Sequence, residues 1–287
     1  MVLQVIDTHV HFWDLNQRIN SWVLNQSNEA LKQDFLPQTL QQKMQDKLYG
    51  AVHIEAHDSR IDTEVEIKWL MAAAQKCPEI QIRHIAYVDM TLPKVLFIAK
   101  LDKLKQYPQV IGIRHILAYE QDVDYCPESQ DLSTDPNVIA NLQILADYDL
   151  IFDCQAYPRQ LLNLAPHLKA SRVKTAIEHC GLPLWENDEQ RQLWQQSMRV
   201  LSETEHVSLK LSGLQMLGQL AHSKAIIDYA IDCFGYQRLM YASNNPVCFR
   251  DNPLEWFKTL GQLCAGKGEV FYDNALIFYQ FQFLAEN

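Results

Sequence analysis

The chain has 287 residues, and its 35 Asp plus Glu outnumber 25 Lys plus Arg to leave a formal net charge of -10. That balance argues against a nucleic-acid binder, whose affinity comes from clustered cations, while the 48% hydrophobic content supports a large core. Only nine glycines occur and none forms G-x-G-x-x-G, which argues against a Rossmann dinucleotide site.

The N-terminus enters Val2-Leu3-Gln4-Val5-Ile6-Asp7 without a basic leader or small-residue cleavage site. No apolar stretch approaches the ~20 residues a membrane span needs, so the expectation is a cytoplasmic protein with no membrane partner. Short apolar runs rich in β-branched residues fall at 2–7, 49–55, 82–89, 110–114, 150–154, 173–178, 207–211 and 239–242. Between them, apolar positions three and four apart predict helices, among them 65–74, 137–146, 188–202 and 224–234. Strands alternating with helices are the pattern of a parallel sheet with crossover connections. Eight such units over this length predict a single-domain (β/α)8 barrel, which typically takes ~250 residues; an open doubly wound sheet is the alternative. The longest insertions, 12–34 and 119–134, follow the first and fourth strands and are expected over the mouth. No linker or internal repeat divides the chain.

Two further patterns carry little. Residues 261–267 read G-x-x-x-x-G-K, but Gly268 stands where a P-loop needs a hydroxyl and no strand leads in. The seven cysteines contain no C-x-x-C pair and read as free, mostly buried thiols.

In a parallel barrel the C-terminal strand ends build the active site. Here they carry Asp7, His9 and His11; Glu55 and His57; Asp89; Arg114 and His115; Asp153 and Gln155; Glu178 and His179; Lys210 and Ser212; Ser243 and Asn244. His9 and His11 are the sharpest pair, because residues two apart on a strand share a face. With His179 from the sixth strand they offer three imidazoles, the number that leaves a catalytic zinc one open position. Without a metal, the same rings can be bonded to backbone at the strand exits.

These residues resemble the amidohydrolase superfamily, specifically the amidohydrolase-related branch of barrel hydrolases that includes L-fuconolactonase and the 2-pyrone-4,6-dicarboxylate lactonases. The matching stretches are Ile6-Asp7-Thr8-His9-Val10-His11-Phe12-Trp13-Asp14, Asp34-Phe35-Leu36-Pro37, Gly112-Ile113-Arg114-His115, Glu178-His179-Cys180-Gly181-Leu182-Pro183, Lys210-Leu211-Ser212-Gly213-Leu214 and Arg238-Leu239-Met240-Tyr241-Ala242-Ser243-Asn244-Asn245-Pro246-Val247. The resemblance implies a (β/α)8 fold, hydrolysis of a lactone or related C–O bond, and roles for His9, His11, His179 and the eighth-strand position.

Two departures bear on mechanism. Catalytic members usually carry Asp in a Ser-Asp-Trp-Pro-like motif on strand eight, where the carboxylate takes a proton from water; the matching residue here is Asn244. An amide has no basic site near neutral pH, and general-base assistance is typically worth about 10²- to 10⁴-fold. Binuclear members commonly bridge their ions with a fourth-strand Lys or Glu, but this chain presents Arg114-His115 there, and a guanidinium repels cations. The expectation is one divalent ion, zinc foremost, on His9, His11 and His179, or a metal-free site in which histidines and arginines polarise the carbonyl.

Arg114 suits a carboxylate or lactone carbonyl through its planar fork, or else forms an ion pair in the barrel wall. Lys210 shares a face with Ser208 and Ser212, placing it near the mouth or in a buried pair with Glu178 or Glu55. Glu55, also a candidate substrate contact, and Asp89 close strands two and three as substitute bases or else as salt-bridge partners. Trp13 and Tyr157 are placed to stack on a sugar or ring substrate, or else pack a loop. The leading expectation is a hydrolase that opens a lactone of a sugar acid or small ring carboxylate, with His9, His11, His179 and Asn244 as the catalytic set. The alternative is a barrel that binds such a metabolite without turnover. Either is compatible with a homo-oligomer.

Overall fold

Eight parallel strands run in sequence order around a barrel: β1 (Val5–Val10), β2 (Leu48–Ile54), β3 (Gln81–Tyr87), β4 (Val110–Arg114), β5 (Ile151–Cys154), β6 (Thr175–Ile177), β7 (Val207–Leu211) and β8 (Leu239–Tyr241). Each is followed by a helix: α1 (Pro37–Lys43), α2 (Thr63–Gln75), α3 (Lys94–Leu104), α4 (Pro136–Asp147), α5 (Pro158–Ser171), α6 (Asp188–Ser202), α7 (Ser223–Phe234) and α8 (Pro253–Leu263). The computed structural model describes residues 4–17, 19–25, 28–58, 60–121 and 123–282. Residues 2 and 3 of the first predicted strand lie outside them. No described helix is long and apolar enough to cross a membrane, and all seven cysteines are free.

The helices start where local chemistry favours them. Asp62, Asp135 and Asn187 each accept a backbone N–H of the following first turn with their side chain, satisfying donors that helical bonding leaves open. Apolar faces of the helices then pack against Val5, Val10, Ile113, Phe152, Ile177, Leu209 and Tyr241, which point outward from the strands.

Inside the barrel, Ile6, Val52, Ile54, Ile85, Ile111, Ile151, Ala176 and Met240 form a separate apolar layer. Leu276 and Tyr279, from the last helix α10 (Asp273–Phe278) and the residue after it, seal this layer below; α9 (Gly268–Phe271) precedes them. The lower barrel is therefore packed, and the polar strand ends are displaced to the opposite mouth.

One irregularity aims the site. β1 pairs with β2 through Asp7–Ala51 and Val10–His53, three steps against two. This extra residue shifts the alternation, so Ile6 faces in while Val5 and Val10 both face out. His9 and His11 consequently turn inward on a strand that extends to Val10, three residues past its predicted end. The ring of strands closes between β1 and the end of β8: Asn244 N donates to His9 O at 2.9 Å, His11 N to Asn245 O at 2.8 Å, and Ser243 N to Asp7 Oδ1 at 2.9 Å.

Candidate active site

The mouth opens into a cavity of about 630 Å³ lined by His11, Glu55, His57, Tyr87, Arg114, His115, Gln155, His179 and Asn244. Trp22 and Leu31 from the insertion after β1, and Tyr125, Pro127 and Glu128 from the insertion after β4, cover it. Both long insertions thus lie over the mouth as their positions predict; Arg18, Gln26, Ser27 and Asp122 within them are outside the described residues.

The three imidazoles meet. His9 Nε2 lies 3.2 Å from His11 Nε2, and the His9 and His179 ring centroids are 4.5 Å apart. Each ring turns its Nδ1 edge to an oxygen: His11 to Ile54 O at 3.0 Å, His179 to Ser212 Oγ at 2.9 Å, and His9 to Glu178 Oε1 at 3.4 Å. His179 is held in this pose by a left-handed turn, with φ 53°. Gly213 lies so close behind it that a Cβ there would sit 2.4 Å from His179 Cβ. All three pKa values fall well below the usual 6.5, first through burial and then through neighbouring positive charge, Lys210 and Arg114 among them. The rings are therefore neutral and keep lone pairs at pH 7.

Arg114 is buried between two carboxylates. Its Nε and Nη2 reach Glu55 Oε1 at 2.8 and 2.7 Å, and its Nη1 reaches Glu178 Oε2 at 3.2 Å and Gln155 Oε1 at 3.3 Å. Burial opposes its charge, but Glu55 and Glu178 outweigh that and raise its pKa. Glu55 itself is shifted upward, because burial exceeds the pull of Arg114. Asn244 has φ 56°, a conformation Asn tolerates better than most residues. Its Nδ2 faces Cys248 Sγ at 3.6 Å, while its Oδ1 is buried without a partner.

The predicted residues separate into layers. His11, His179, Asn244, Arg114 and Glu55 line the cavity, and His9 lies directly beneath them. Lys210 is deeper: its Nζ pairs with Asp153 Oδ2 at 2.5 Å, both side chains fully buried, and Tyr279 Oη donates to Asp153 Oδ1 at 3.1 Å. This corrects its placement near the mouth; the partner lies two strands away on the same inner layer, rather than being Glu178 or Glu55. Trp13 and Tyr157 are likewise corrected. Trp13 is buried against Trp22 and Phe35 with its indole N–H on Gln33 O at 2.7 Å, and Tyr157 is buried with its hydroxyl on Tyr125 O at 2.6 Å. The cavity aromatics are Trp22, Tyr87 and Tyr125 instead. Tyr87 was readable from its two-residue spacing from inward Ile85; Trp22 and Tyr125 lie on loops without a period.

A family model described as Amidohydrolase matches residues 6–281, from β1 to the segment that seals the barrel. The chain belongs to the amidohydrolase family. Its relatives include the L-fucono-1,5-lactonase of Burkholderia multivorans, 27% identical over 265 residues that cover 85% of this chain and 82% of that one. This amidohydrolase also shares its fold with a crystal structure of an amidohydrolase from Burkholderia multivorans with bound zinc, at TM-score 0.75 and 23% identity over 97% of this chain and 100% of that one. A probable 2-pyrone-4,6-dicarboxylic acid hydrolase from Acinetobacter baumannii, solved with citric acid, matches at TM-score 0.72 and 17% identity over the same shares.

The donor atoms of this amidohydrolase fit one divalent ion. Among the described residues, His9, Glu178 and His179 offer ligand atoms within 4.8 Å of one another, and His11 adjoins His9. His9 Nδ1 and Glu178 Oε1 are buried without a hydrogen-bond partner. His11 and His179, with Nδ1 anchored on oxygen behind and Nε2 in front, have the arrangement that holds metal-binding histidines. Glu178 is the member of this set that the sequence reading left among structural partners.

Proposed function

We propose that this amidohydrolase opens the ring of an uncharged sugar lactone by water attack at the carbonyl carbon. One observation carries the reading: the cavity's guanidinium is already matched by Glu55 and Glu178, Asp58 is paired with Arg60, and Glu128 adds an acidic group to the lining. Among the described residues, such a cavity offers a substrate carboxylate no side-chain cation that is not already paired. It suits a neutral ring whose hydroxyls meet Gln155, Tyr87, Tyr125 and the free Oδ1 of Asn244. The lactonase name of the Burkholderia relative supports the same reaction class.

As water adds, charge grows on the carbonyl oxygen; the N–H groups of Arg114 are already bonded to Glu55, Gln155 and Glu178, so Arg114 holds those groups in place at the cavity floor rather than bonding that oxygen. Neutral imidazoles of His11 and His179 orient water and substrate without a charge penalty. Asn244 accepts a hydrogen bond from the water or a ring hydroxyl but cannot take its proton. His9, His11 and His179, with Glu178, would hold one divalent ion, zinc foremost, which when bound would polarise the carbonyl.

The test is a panel of aldonolactones beside 2-pyrone-4,6-dicarboxylate, followed by acid release. Faster opening of neutral lactones is expected, and a preference for the dicarboxylate would overturn the reading. Asn244 also favours a second reading, a barrel that binds the lactone without turnover. Asn244→Asp separates the two: a large gain in rate marks a lapsed enzyme, whereas loss of existing activity marks the amide as the working group.

A further inference from the structure

Behind β2, on the side away from the barrel interior, a carboxylate gathers histidines. Glu66 of α2 is fully buried and accepts from Ala56 N at 2.7 Å, faces His57 Nδ1 at 2.9 Å, and faces His53 Nε2 at 3.3 Å. His53 Nδ1 accepts from Phe12 N at 3.1 Å, so its proton sits on Nε2 and points to Glu66. His84 stacks on His53 at 4.9 Å and bonds His53 O at 3.2 Å through Nδ1.

His57 differs from its neighbours because it also lines the cavity. Its Nδ1 is committed to Glu66, and its Nε2, on the other edge of the ring, is buried without a partner. A ring protonated at Nδ1 keeps its basic lone pair on Nε2. Three buried carboxylates of the barrel are occupied. Glu55 and Glu178 are held by Arg114, and Asp153 by Lys210 and Tyr279. His115 accepts from Met90 N through Nδ1 at 3.1 Å, which leaves its neutral Nε2 a donor. The chain between Ile54, whose carbonyl faces His11, and Glu55, whose carbonyl accepts from Arg114, brings His57 to the same end of the site.

We propose that His57, oriented by Glu66, is the proton-transfer group that Asn244 cannot be. This rests on the lactone-hydrolase reading. His57 Nε2 takes a proton from water as its oxygen bonds to the carbonyl carbon. The tetrahedral adduct then expels the ring oxygen, the acyl C–O bond breaks, and His57 returns the proton to that alkoxide. The product is a hydroxy acid, which ionises to solvent. Glu66 is the positioning residue: it fixes the ring and its tautomer and stabilises the imidazolium formed in transit, the role a carboxylate plays behind a catalytic histidine.

The groups facing His57 are Glu66 and Asp62 from α2 and its N-cap, Glu55 and Asp58 from its own segment, and Tyr87 and His84 from β3. Burial opposes charge on the ring, but the bond and charge of Glu66, with Glu55 and Asp58, raise its pKa above 6.5. Activity therefore rises with pH as His57 loses its proton.

The experiment uses the full chain and an aldonolactone that the wild type opens. His57→Gln is expected to lower kcat by about 100-fold or more with KM changed by no more than about threefold. Glu66→Gln is expected to move the acid limb of the kcat profile to lower pH, and Glu66→Asp to restore it. A structural role alone would scale the profile without moving it. Retention of kcat in His57→Gln, or an unmoved limb in Glu66→Gln, would overturn the proposal. Ring ¹⁵N NMR of the wild type decides it even where no lactone is opened or Glu66→Gln does not fold. Nδ1-protonated His57 is expected, and an Nε2-protonated ring would sink the dyad; failure of every lactone with that tautomer present would sink only the substrate reading.

Discussion

Two groups of histidines, one turned into the barrel mouth and one gathered behind β2 and β3, have opposite chemistry. Inside the barrel, His9, His11 and His179 lie near Arg114 and Lys210, and positive surroundings add to burial in keeping them neutral. Outside it His53, and at the rim of the cavity His57, turn N–H edges to Glu66; burial raises the pKa of this carboxyl, but the two bonds together with the charges of His53 and His84 hold it well below its ordinary range. Strand alternation makes the division: His53 faces outward between inward Val52 and Ile54. The same side chain becomes a lone-pair donor on one face and a proton donor on the other, with no change of residue type.

The most severe way to break the inner group is His179→Asn, which removes a cavity imidazole and its anchor on Ser212. A kcat loss of about 10³-fold, or about 4 kcal/mol, is expected with aldonolactone, while the urea midpoint stays near wild type. Zinc sharpens the same test. Added Zn²⁺ is expected to raise the thermal midpoint of the wild type and not of His179→Asn, since an ion that binds only the folded state stabilises it; equal shifts in both would place the ion elsewhere.

The outer group breaks differently. Glu66→Ala leaves three N–H donors in a buried site without their acceptor, so a loss of about 3 kcal/mol in urea unfolding is expected. A loss below about 1 kcal/mol would mean that the histidines find other partners on relaxing.

His84 offers a finer test by pH. Burial lowers its pKa from 6.5 to about 3. A base with a depressed folded pKa contributes stability that is present above the unfolded value and lost as pH falls below it. Between pH 7 and pH 5 the wild type is expected to lose about 2 kcal/mol that His84→Gln does not. Urea midpoints at the two pH values measure the difference, and parallel losses in both proteins would assign the acid sensitivity to other groups.

Much of this arrangement was legible as periodicity. β4 and β7 coincide with their predicted spans, and α6 does so at both ends. The strand ends carried the inner set because parallel barrels gather those ends. Three features lay beyond one-dimensional reading. The extra residue in β1 depends on pairing with β2, so the first strand was read as ending at Asp7. Lys210 and Asp153 meet because alternate strands share an inner layer, a relation that spans 57 residues of sequence. Trp22 and Tyr125 reach the cavity on loops, where no repeat announces direction, whereas the more conspicuous Trp13 and Tyr157 are the residues that hold those loops.

That last relation supplies the smallest test, and it extends the inner group toward its cover. Tyr125 Oη accepts from Gln155 Nε2, and Gln155 Oε1 accepts from Arg114 Nη1 at 3.3 Å. Tyr157 Oη in turn donates to the backbone oxygen of Tyr125 at 2.6 Å. Tyr125→Phe removes one neutral hydrogen bond next to Arg114, and Tyr157→Phe removes one behind the loop, each worth about 1 kcal/mol. If the hydroxyl of Tyr125 serves the cavity, its loss raises KM about fivefold, whereas the loss of Tyr157 lowers the thermal midpoint and leaves the pH profile in place. Equal effects on KM from both would mean that loop position, rather than the hydroxyl, sets affinity, and that the inner hydrogen-bond network ends at Gln155.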